Sequence, residues 1–259
     1  MRRNALTASM LLLLLLLGVG VRRTGGPDGA PAPATATPFR VGERAQFRAS
    51  WGILGRVGTG SLSIVELDTI RGRPAYHAVF TIRGGIPGAR VDERMETWLD
   101  QKRLYSHRFM QRTRYPRFSR DRTREFLADE RRWTGRTNTR EESGELPTDL
   151  PLDEIGFIYH ARTMDLEVGR EYTLDRYWNA EGNPVRLRVL RRQTVKVPAG
   201  TYQTIVVQPI IRTSGLFAED GEAEVYFSDS PARELVMLNA KMSIGKLRLQ
   251  LEKYEPGGN

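Results

Sequence analysis

The 259-residue chain contains no cysteine and only three histidines. Without cysteine there can be no disulfide, no thiol nucleophile, no thiolate metal ligand and no lipid-bearing lipoprotein cysteine. His77, His107 and His160 stand apart from one another and from carboxylates at ligand spacing, so no metal site is expected. The chain also lacks a G-x-S-x-G elbow, a P-loop and a dinucleotide fingerprint, and no cofactor is expected. Gly58-Thr59-Gly60-Ser61 reads instead as a turn entering a strand. Long apolar runs are missing after the first 21 residues. A chain built this way must hold together through its core and its strand pairing alone.

The beginning has the shape of an export signal. Residues 1–21 carry Arg2 and Arg3 before the apolar run Leu11–Leu17, which fits a cleaved signal peptide or, at the lower length limit, an uncleaved membrane anchor. Residues 22–38 are rich in Pro, Ala, Gly and Thr and read as an extended linker without a core. Residues 39–254 are long enough for one β domain, and 255–259 form a polar tail. The net charge is +9; losing Arg2, Arg3, Arg22, Arg23 and Asp28 with the leader leaves 36 basic against 30 acidic residues, or +6. Such a balance favours anionic partners. The codon usage of a GC-rich genome would also favour arginine.

From Phe39 onward the pattern alternates with period two. Ala45, Phe47, Ala49 and Trp51 alternate with Arg44, Gln46, Arg48 and Ser50; Tyr76, Ala78, Phe80 and Ile82 repeat the pattern. Leu54–Gly60 reads as a Gly-punctuated turn or bulge. Asp92, Arg94, Glu96 and Trp98 share a strand face. Tyr172, Leu174 and Trp178 start a second strand run, Val195–Pro209 is a strand, tight turn and strand, and a final hairpin turns across Ser243–Gly245. One stretch breaks the alternation: Leu152, Ile155, Ile158 and Tyr159 recur at helical spacing, predicting a helix over Leu152–Arg162. Asp149 or a neighbour would cap it, with Pro151 in the first turn. The expectation is a mostly β fold of about twelve strands: a single antiparallel, strongly curved or barrel-like sheet with one short helix on or inside it.

Two sets of residues suggest binding. Trp51, Phe80, Trp98, Tyr159, His160, Tyr172 and Trp178 are candidates to line a ligand cavity, the alternative being plain core. The stretch Tyr105–Thr139 interleaves arginines with aromatics and reads as hairpins with an arginine stripe on an exposed face; Arg112, Arg114, Arg122 and Arg124 are the candidate anionic contacts. Nucleic acid could stack and pair there, but an exported chain rarely meets it, so none is expected. An anionic lipid or envelope polymer fits the compartment better. Asp153, Glu154, Glu222 and Glu224 are the carboxylates that a glycan-cleaving enzyme would need as a facing pair; no catalytic residue is assigned.

The segments FRVGERAQFRASWG, GRVGTGSLSI, DEIGFIYHAR, VKVPAGTYQTIVVQP and EVYFSDSPARELVMLNAKMSIGKLRLQLEKY together resemble the bacterial family of unknown function DUF3108, over residues 39–254. Asp153, Tyr159 and Arg162 match its helix motif, Pro198–Thr201 its Pro-Ala-Gly-Thr turn, and Ser228 and Asp229 its Ser-Asp turn. Ser230 and the Arg233-Glu234 pair depart from it. The resemblance implies an exported, β-rich protein of the bacterial periplasm or cell envelope and supplies no catalytic residues. The leading expectation is therefore a non-catalytic protein binding an amphiphilic or anionic envelope component (lipid or glycolipid), with membrane association through the N-terminus. The alternatives are a glycan enzyme using paired carboxylates, or an assembly factor acting through its arginine face.

Overall fold

The computed structural model describes residues 37–86, 88–211, 223–242 and 245–258. The leader, nearly all of the linker, Glu222 and most of the Ser243–Gly245 turn lie outside these residues. The first eight strands are β1 (Glu43–Trp51), β2 (Arg56–Ile70), β3 (Arg73–Ile86), β4 (Ala89–Asp100), β5 (Ser106–Tyr115), β6 (Phe118–Leu127), β7 (Arg132–Thr137) and β8 (Arg140–Glu145). Helix α1 (Glu154–Arg162) and six more strands follow: β9 (Glu171–Leu174), β10 (Val185–Val197), β11 (Gly200–Ile210), β12 (Glu224–Ser228), β13 (Leu235–Met242) and β14 (Gly245–Pro256).

All fourteen strands join one sheet in the order β8-β7-β6-β5-β4-β3-β2-β1-β14-β13-β12-β11-β10-β9. Every neighbour pair is antiparallel, as short connections require. The first and last strands pair at the centre, and β8 and β9 are left as the two edges. A sheet this wide cannot stay flat. It curls, and one continuous core runs from β1 through both wings to α1.

Helix α1 starts two residues later than its spacing predicts. Asp153, not Asp149, is its cap: one carboxylate oxygen accepts from the backbone N–H of Ile155 (2.8 Å) and Gly156 (2.9 Å). Pro151 and Leu152 precede the helix, and Leu152 makes a single parallel bridge to Tyr177. Six of the nine helical residues are buried. A helix buried nearly all round must lie within the curl. Close packing sets its approach: a Cβ on Gly156 would stand 2.8 Å from Ser106 Oγ. Trp178 belongs not to a strand but to the segment between β9 and β10. The turn read at Leu54–Gly60 is shorter, since β2 begins at Arg56.

The C-terminal end of α1 is fixed by charge. Arg162 and Glu43, each 2% exposed, pair through two hydrogen bonds of 2.6 and 2.8 Å. Arg162 also donates to the carbonyl of Ala232 at 2.9 Å.

Candidate interior anion site

The pairing register gives the inner face residue by residue. One transverse row runs Phe47, Gly60, Ile82, Glu93, Thr113, Arg120. The next runs Ala45, Leu62, Phe80, Met95, Gln111, Arg122. A third runs Ile64, Ala78, Thr97, Phe109, Arg124. Directly paired residues share a face. The inner surface is therefore apolar on β1–β3 and mixed from β4, where Glu93 and Thr97 flank Met95, and all three rows reach an arginine on β6.

The three guanidinium groups are not equally compensated. Arg124, 3% exposed, donates to Glu142, to Thr137 Oγ1 (3.2 Å) and to the carbonyl of Thr123 (2.9 Å). It lies over Trp133 and Trp178, 4.7 and 5.7 Å from the ring centres. Gly135 is its cross-strand partner, and a Cβ there would stand 3.0 Å from the Arg124 side chain. The Arg120 and Arg122 side chains form no salt bridge among the described residues, although Arg120 lies 5.4 Å from the centre of the Phe118 ring and feels the charges of Glu93 and Glu154. The Nε–H groups of Arg120, Arg122 and Arg124 are buried and donate to no protein partner. Burial, then the charge of Arg122, lowers the pKa of Arg120; burial is likewise the first cause lowering that of Arg124.

Carboxylates stand close by. Glu93, 4% exposed, accepts from Gln111 (2.7 Å), Thr113 (3.1 Å) and the Tyr115 hydroxyl (3.2 Å). Burial and Glu93 push the Tyr115 phenol up to about 12. Glu154, in the first turn of α1, accepts from the Tyr177 hydroxyl at 2.8 Å, and its second oxygen is buried without a partner. The arrangement is a polar compartment with excess donors near one end of the curl.

Of the four arginines picked from sequence, Arg122 and Arg124 point inward, while Arg112 and Arg114 point out. Arg112 pairs across the strands with Asp121, and Arg114 bonds the Asp121 carboxylate at 2.7 Å. A single exposed arginine stripe is thus replaced by two faces. Arg120 was missed, although its even spacing with Arg122, Arg124 and the buried Phe126 carries the signal.

The seven cavity candidates do not surround one cavity. Phe80, Tyr159 and Trp178 are packed in the core. Trp98 lies on the outer face, stacked on His77 with ring centres 4.2 Å apart. Trp51 is only partly buried, and the Tyr172 hydroxyl is bound by the backbone of Asp165. His160 alone of the seven borders the apolar pocket between α1 and β9–β12. That pocket holds about 30 Å³, too little for an acyl chain. The physical reason is α1, which fills the curl. Of the carboxylates considered for catalysis, Asp153 caps the helix and Glu224 pairs with Arg191 at 2.9 Å, Glu154 keeps one oxygen without a partner, and Glu222 lies outside the described residues.

The model of the family described as "Protein of unknown function (DUF3108)" matches residues 46–252. The chain belongs to the DUF3108 family. No curated protein is significantly similar to this DUF3108 chain in sequence. Among solved structures, it resembles the "beta-barrel-like protein of domain of unknown function DUF1849" of Brucella abortus, at 10% identity and a TM-score of 0.51, covering 84% of this chain and 98% of the other. At that identity the likeness is one of fold. A Parabacteroides distasonis protein provisionally described as a lipoprotein matches at 12% identity, with a TM-score of 0.33 and coverage of 85% and 99%. A Bacteroides fragilis protein provisionally described as exported, with a YmcC-like fold, matches at 12% identity, with a TM-score of 0.29 and coverage of 86% and 100%.

Proposed function

We propose that this protein is an exported, non-catalytic component of the bacterial cell envelope that binds the anionic group of an envelope lipid or glycolipid on the inner face of its sheet. One observation carries the reading: Arg120, Arg122 and Arg124 stand at alternate positions of β6, facing inward, each with a buried Nε that has no protein partner. Buried donors without acceptors cost stability, and like charges brought together add to that cost. A phosphate or carboxylate supplies acceptors and charge together, and arginine suits both through its planar fork. The N-terminal leader supports export. The small apolar pocket favours recognition of the head group over burial of a whole lipid tail.

Isothermal titration with soluble dihexanoyl phosphatidylglycerol, against dihexanoyl phosphatidylcholine, tests this. The anionic lipid should bind, and more weakly as salt is raised. Charged hydrogen bonds contribute roughly 1.5–3 kcal/mol each, so Arg122→Gln should weaken binding by about tenfold or more. The outward Arg112→Gln should bind like the wild type. Equal affinity for both lipids, or no effect of Arg122→Gln, would refute the interior site.

A further inference from the structure

The connections between β1 and β2, β3 and β4, β5 and β6, and β7 and β8 all lie at one end of the sheet. This rim has an unusual surface. Ile53 is fully exposed (103%) and Leu54 is 54% exposed at the β1–β2 turn. Tyr115 and Phe118 flank the β5–β6 turn at 39% and 47% exposure, their ring centres 6.2 Å apart. At the opposite end, the turns around residues 71–72, 101–104, 128–131, 198–199 and 229–234 expose no large apolar side chain among the described residues, and the exposed apolar groups toward that end, Val41 (37%) and Leu67 (46%), lie just before β1 and on β2. Apolar groups at the tips of connecting turns make no contribution to the core.

The same rim is basic. Arg90, Arg112, Arg117 and Lys246 are exposed there, and none forms a salt bridge among the described residues. Of the rim acids, Asp92 and Asp121 are matched by Arg83 (3.5 Å) and Arg114 (2.7 Å), and Glu141 stands opposite Arg136 across the β7–β8 hairpin. Exposed apolar tips set among unpaired cations are complementary to one kind of surface, an anionic lipid bilayer, where acyl chains take the apolar groups and headgroups take the charge. We infer that this rim docks on an anionic membrane surface, with Ile53, Leu54, Tyr115 and Phe118 entering the headgroup layer. Docking would bring the interior arginines close to the bilayer, since Arg120 lies two residues beyond Phe118 on β6. The inference does not depend on the interior site being occupied.

The absence of cysteine makes a direct test clean. An environment-sensitive thiol dye is placed on the full chain at Ile53→Cys and, separately, at Lys102→Cys on the opposite rim. Each labelled protein is mixed with vesicles of phosphatidylglycerol and phosphatidylcholine (1:1) or of phosphatidylcholine alone. Any anchoring by the N-terminus is common to all samples. The expected result is a blue shift at position 53 on the anionic vesicles only, with position 102 unmoved. Each rim cation contributes a factor of about five at such a surface, so Arg112→Gln with Arg117→Gln should raise the half-saturating lipid concentration about 25-fold. No shift at position 53, equal shifts at both positions, or equal shifts on both vesicle types would overturn the inference. Soluble dihexanoyl phosphatidylglycerol reports the interior arginines without a membrane and the dye at position 53 reports the rim, so failure of the interior site and failure of the rim are separately visible.

Discussion

The buried pair Arg162–Glu43 should be the most sensitive electrostatic point in the fold. It joins the end of α1 to the start of β1, and Tyr254 on β14 also donates to Glu43, at 3.2 Å. Burial opposes the charge on Arg162, but the hydrogen bonds and charge of Glu43 outweigh it, and the guanidinium pKa is raised. Arg162→Met leaves a carboxylate 2% exposed with one phenol as its remaining partner. Removing one member of such a pair costs about 3–5 kcal/mol. Glu43→Gln should cost less, about 2 kcal/mol, because the amide oxygen still accepts from Arg162 and the Ala232 carbonyl is retained. The double variant holds no unpaired charge and should cost less than the two singles added together, by about 2 kcal/mol. Urea unfolding at pH 7, followed by the fluorescence of the four tryptophans, measures all three. An Arg162→Met cost below about 1 kcal/mol, or strict additivity in the cycle, would refute the reasoning.

Burial, and then the charge of Arg176, lowers the pKa of His160 to about 4 from the ordinary 6.5. The unfolded chain therefore binds the extra proton first as pH falls, so this contribution is present above pH 6.5 and is lost as pH falls toward 4, amounting to about 3 kcal/mol. His160→Gln should flatten that part of the stability profile, measured as urea midpoints between pH 7 and 4; an unchanged difference across the range would count against it. Asp153→Ala should destabilise by about 3 kcal/mol, from the lost cap and the orphaned Thr97 hydroxyl, whereas Asp153→Asn should lose less than half of that; equal midpoints for the two variants would contradict the capping geometry.

Much of the fold was legible because period-two alternation reports a half-buried strand directly, and one helical stretch interrupted it. The family resemblance was equally legible, because its motifs sit in turns and in the cap. What misled was letting residue type outweigh parity. Trp98 follows Asp92, Arg94 and Glu96 on one face, and the odd-numbered Glu93, Met95 and Thr97 face the interior. Size suggested a cavity for Trp98, but alternation placed it outside. The arginines of β5 and β6 repeat the lesson. Tyr115 pairs with Phe118 across a two-residue turn, so each even position on β5 faces an odd position on β6. Even-numbered arginines therefore point outward on β5 and inward on β6. No single-residue property carries that; turn length does. The compensation of Arg124 by Glu142, and the occupation of the curl by α1, depend on contacts distant in sequence and were not legible.

The interior charges also bear on where function should be sought. Arg124, deepest of the three, is matched by a carboxylate, a hydroxyl and two indole rings. Arg122 and Arg120, successively nearer the rim, form no salt bridge among the described residues; Arg120 has only the Phe118 ring beneath it and the field of Glu93 and Glu154. A sheet selected only for stability would place aliphatic side chains at these positions, as β11 does with Ile205, Val206 and Val207, all at most 1% exposed. Proteins that retain destabilising groups commonly retain them for function. The two arginines without a salt bridge lie toward the end of the sheet where Tyr115 and Phe118 are exposed, and Tyr115 itself reaches inward to Glu93. The interior donors and the rim are thus joined through one aromatic residue. On this argument the cation excess inside and the apolar tips outside are two parts of one approach to an anionic surface.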